Sequence, residues 1–128
     1  MRIQLIALLV SLPLAVLAHG DWPPRHGGTM NVGGETSFEM VRHRNGMTFH
    51  MSDHGEDLPT AGSKAVLTVG QAGEQRRYEG QARGSNELHF PGARVARGEA
   101  AVVKATLGNG AIVVGRFPAQ QAAASARP

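Results

Sequence analysis

Residues 35–53 read ETSFEMVRHRNGMTFHMSD. Two alternating runs, 35–42 and 47–53, flank Arg44-Asn45-Gly46. Asn-Gly tolerates the positive φ angles of tight turns, so the stretch reads as a β-hairpin. Successive side chains of a strand point to opposite sides. The second run therefore sends Met47, Phe49 and Met51 to one face and Thr48, His50 and Ser52 to the other.

The same rhythm extends outward. Short apolar-alternating runs at 28–32, 64–69, 75–81, 87–90, 100–107 and 111–117 are punctuated by glycine, which occurs 17 times. Gly108-Asn109-Gly110 makes a second hairpin turn, after which Ile112, Val114 and Arg116 oppose Val113, Gly115 and Phe117. No stretch beyond residue 18 has the period of an amphipathic helix. Seven or eight short strands at a spacing of about ten residues predict an all-β domain. A two-sheet antiparallel sandwich is expected, with a small closed barrel as the alternative.

The chain ends read differently. Met1-Arg2 is a short positive start, Ile3 to Ala18 is interrupted only by Gln4, Ser11 and Pro13, and Val16-Leu17-Ala18 offers small residues at a cleavage site. Together these make a secretory signal peptide over 1–18, too short and too broken for a membrane span. Residues 19–27, with Pro23-Pro24, are expected to form an extended arm, 28–118 the domain, and the Ala/Gln/Ser-rich 119–128 a disordered tail. Removing 18 of 128 residues leaves 110, enough for one core without a membrane segment. The resulting expectation is a periplasmic protein.

Composition narrows the chemistry. There is no cysteine, hence no disulfide and no thiolate. The basic residues are scattered and nearly balanced by acidic ones, which argues against nucleic acid. No nucleophile elbow, phosphate loop or zinc-protease motif is present, so a non-catalytic role is expected. Histidine and methionine carry the stronger signal. His19, His26, His43, His50 and His54 fall in the first half, with Met30, Met40, Met47 and Met51. Imidazole suits copper and zinc, and thioether selects Cu(I).

Strand alternation trims this set. Met40, Met47 and Met51 share a period with Phe38 and Phe49 and read as core. His50 falls on the other face, His43 sits between two arginines beside a turn, and His89 has no evident partner. His26 and His54 each precede glycine, where a side chain can project from a sheet end. Asp53 can orient the His54 imidazole or bind an ion itself. Cleavage after Ala18 would expose His19 as an amine-plus-imidazole chelator, with His26 or His54 to complete it.

The order His26-Gly27-Gly28, Ser37-Phe38-Glu39-Met40-Val41, Gly46, Asp53-His54-Gly55, Thr60-Ala61-Gly62, Gly84-x-Asn86-x-Leu88 and closing Arg116-Phe117 spans residues 26–117. It resembles a group of small bacterial periplasmic proteins found among copper and heavy-metal efflux and resistance components. It is also similar to the β-sandwich portion of heavy-metal efflux adaptors. The resemblance implies an immunoglobulin-like sandwich in a metal-homeostasis setting, and matches polar positions at His26, Glu39, Asp53 and His54. The expected function is thus a metal-binding accessory protein, with copper the first choice and zinc the second. The alternative is an interaction module that contacts an efflux adaptor or another envelope protein.

Overall fold

The computed structural model describes residues 22–120. The signal segment 1–18, His19 and the tail from 121 onward lie outside the described residues. Nine strands and no helix occur among those described: β1 Thr29–Met30, β2 Thr36–His43, β3 Gly46–Asp53, β4 Glu56–Asp57, β5 Lys64–Val69, β6 Arg76–Arg83, β7 Glu87–Pro91, β8 Ala101–Thr106 and β9 Ile112–Phe117. Accordingly, no helix among them is long and apolar enough to cross a membrane. All eight runs read from the sequence contain a strand. β4 is the addition: two acidic residues carry no alternation to detect.

The Arg44-Asn45 turn sets the β2–β3 register, pairing His43 with Gly46, Val41 with Thr48 and Glu39 with His50. This register sends Phe38, Met40, Met47, Phe49 and Met51 inward, each at most 6% exposed. They join Leu67, Val69, Leu88, Phe90, Val103 and Phe117 in one core. Phe49 meets Phe90 edge-on with centroids 5.4 Å apart, and Phe117 at 5.8 Å. Each fully buried aromatic of this kind contributes roughly 2–3 kcal/mol.

All neighbouring strands pair antiparallel, in the order β1-β2-β3-β7-β6-β5-β8-β9, with β4 beside β3. The two-sheet arrangement expected from strand spacing therefore gives way to one continuous sheet. The β6–β7 pairing of Gln81 with His89, Ala82 with Leu88 and Arg83 with Glu87 joins what would have been separate layers. The ends then approach each other: Val32 bridges Arg116, its N–H donating to the Arg116 carbonyl at 3.0 Å. The result is a nearly closed, barrel-like sheet. Small residues allow this curvature. A Cβ on Gly115 would lie 2.5 Å from the Phe38 ring, and one on Gly80 2.5 Å from Phe90. Alternation looks the same in a sandwich and a barrel, which is why the spacing left both open.

Candidate functional site

Residues 22–28 belong to no strand, and Pro23-Pro24 supplies no N–H for ladder pairing. The backbone donors that follow turn instead to one side chain. Glu39, on the outward side of β2, accepts the N–H of Arg25 at 2.9 Å, of His26 at 2.7 Å and of Gly28 at 2.8 Å. Its Oε1 also meets His26 Nδ1 at 3.0 Å. The carboxylate is only 4% exposed. Burial by itself pushes the Glu39 carboxyl up, but the His26 ring and three backbone donors outweigh it and bring it down to about 2. Four donors use the four acceptor positions of a carboxylate. Glu39 thus anchors the arm and leaves no lone pair for an ion.

Its second effect falls on His26. An ionised carboxylate only accepts, so Nδ1 carries a proton, and in the neutral ring Nε2 is the nitrogen with the free lone pair. This is how a carboxylate orients a metal-ligating histidine. The His26 ring stacks on His50, centroids 3.7 Å apart and planes 7° from parallel. His50 comes from β3, directly opposite Glu39, and its Nδ1 lies 3.9 Å from Glu87 Oε2. Burial, then the neighbouring His26, lowers the His50 pKa against the opposing pull of Glu87 and Glu39. The shift favours the neutral ring, the form that binds metals.

The stacked pair faces a cleft of about 140 Å³, lined also by Trp22, Met30 and Met51. Metabolite pockets run from about 300 Å³ upward, so this cleft suits an ion with a few waters. Trp22 lies over Gly55, where an added Cβ would approach the ring to 3.1 Å, and Arg25 pairs with Asp57 at 3.4 Å. Both contacts hold the arm against the β3–β4 corner.

Asp53 and His54 form that corner. His54 and Gly55 have φ of 51° and 84°, the two positive values that a type I′ hairpin turn demands. His54 Nδ1 meets Asp53 Oδ1 at 2.7 Å, with the two side chains 73% and 52% exposed. The structure thus brings His26 to Glu39 and His54 to Asp53. It does not gather the four: among the described residues no group of three or more His, Asp or Glu side chains is arranged to hold an ion. His19, the remaining candidate, lies outside the described residues.

His50 was set aside in the sequence because it faces away from Met47 and Met51, as it does here. The turn at Arg44-Asn45 carried the missed signal, since the hairpin register places His50 opposite Glu39. Nothing in the sequence placed the arm above them. No protein-family model, curated protein or solved structure matches this chain.

Proposed function

We propose that this domain binds one copper ion in the arm cleft as cargo, with His26 Nε2 and His50 as imidazole donors and the Met30 thioether beside them. Two imidazoles and a thioether lining one cleft, with the His26 ring held by a buried carboxylate, carry the reading. Two imidazoles and a thioether form a donor set for Cu(I) rather than for a four-coordinate structural zinc. The reading takes His50 in place of His54, because His50 shares the cleft with His26. Glu39 positions; it does not ligate.

The role is to hold or hand on the ion, without chemistry on a substrate. A periplasmic location after removal of residues 1–18, and a place among metal-efflux accessory proteins, belong to the same proposal.

Competition against a colorimetric Cu(I) chelator tests it: wild type binds, and His26→Ala or His50→Ala weakens binding at least tenfold. A wild-type protein that takes up no Cu(I) sinks the reading. A second reading has its own observation. Val32 and Ile112, 55% and 59% exposed, flank the seam where the sheet ends meet. An efflux adaptor or other envelope protein adding a strand there would be captured equally by wild type and by the H26A/H50A double variant.

A further inference from the structure

The outward side of β2, β3 and β7 carries more than the arm cleft. Glu39, Val41 and His43 of β2, Thr48 and His50 of β3, and Glu87 and His89 of β7 share this side, as the pairing registers require. Four histidines therefore meet on one face, in two pairs. The second pair is His43 and His89, with ring centroids 6.5 Å apart and planes inclined at 56°.

The two pairs follow one plan. In the first, a buried oxygen of the neighbouring strand holds Nδ1 of one ring, Glu39 to His26. In the second, Thr48 Oγ1 meets His89 Nδ1 at 3.0 Å, and Thr48 is 1% exposed although it points away from the core. In each case Nε2 is the nitrogen outside that contact, open to an ion in the tautomer that carries the proton on Nδ1. Gly46 lies opposite His43, and a Cβ there would meet the Phe90 carbonyl at 2.5 Å.

We propose that His43 and His89 form a second metal site, one that takes Cu(I) in two-coordinate fashion between the rings. This site does not rest on the arm cleft; it has its own geometry. A metal–imidazole bond of about 2.0 Å places the ring centroid roughly 3 Å from the ion, so two imidazoles on opposite sides of it lie roughly 6 Å apart. The observed 6.5 Å fits that arrangement. The 3.7 Å of the stacked pair does not.

The test titrates Cu(I), under reductant and against a colorimetric chelator, into the wild type, H26A/H50A and H43A/H89A. Near-UV circular dichroism monitors the fold. Wild type should take two ions and each double variant one. In H26A/H50A the remaining ion should shift the His89 Nε2 resonance in ¹⁵N NMR. If H43A/H89A still takes two ions, or folded H26A/H50A takes none, the second site is overturned. If H26A/H50A binds like wild type, the arm cleft fails instead and the second site stands. Should H43A/H89A lose its fold, the exposed substitution His43→Ala decides: it must bind one ion, and two would refute the site.

Discussion

Two histidine–carboxylate pairs lie at neighbouring corners of this protein, and the shorter contact does less. Asp53 and His54 meet at 2.7 Å, yet both are largely exposed, adjacent in sequence and without another side-chain hydrogen bond among the described residues. An exposed pair of this kind is worth under about 1 kcal/mol. His26 and Glu39 meet at 3.0 Å, thirteen residues apart, and the same carboxylate holds three backbone N–H groups out of solvent. Charge-assisted hydrogen bonds count for more where water does not compete. The difference shows that burial and the number of partners, rather than distance alone, separate a built site from two polar residues at a turn.

Acid provides the strongest way to sharpen that contrast. The Glu39 pKa is depressed in the folded protein from 4.5 to about 2. Its contribution is therefore fully present above roughly pH 4.5 and is lost as pH falls toward 2. The difference corresponds to about 3 kcal/mol. Urea denaturation between pH 5 and pH 2 should show a loss of this size, and Glu39→Gln should flatten it. At neutral pH, Glu39→Gln should destabilise by about 2 kcal/mol, because the amide offers one acceptor oxygen and turns donors toward backbone N–H groups. Asp53→Asn should change stability by less than about 0.5 kcal/mol in the same assay.

Metal affinity separates the corners next. His26→Ala or His50→Ala should cost at least tenfold in chelator competition, and acid should release the ion, with His50 protonating below its ordinary range because burial lowers its pKa. The smallest effect belongs to the exposed corner. His54→Ala should alter affinity less than twofold, and His54→Gly should preserve the turn, since glycine takes a positive φ without strain. A tenfold loss in His54→Ala would reverse the assignment of donors between the corners.

Much of the fold was legible because its local codes agree. The 35–53 hairpin carries its turn and its inward face together, and Met47, Phe49 and Met51 are buried as the alternation requires. β4 escaped notice because Glu56-Asp57 is held by the His54-Gly55 turn and not by apolar residues. His26 and Glu39 were each singled out, but as separate polar positions. Their meeting depends on an irregular arm whose course no periodicity encodes. His43 and His89, forty-six residues apart, looked solvated or alone until β3 paired with β2 on one side and β7 on the other.

By itself, the sequence determined eight of the nine strands, the inward and outward faces of the central hairpin and the absence of cysteine chemistry. These follow from spacing along the chain and from turn residues with narrow φ preferences. Tertiary structure decided that the strands close into one sheet, that Glu39 becomes an anchor, and that four histidines share a face. Those outcomes depend on which strand lies beside which and where the arm docks. Such contacts join residues distant in sequence, and local spacing is blind to them.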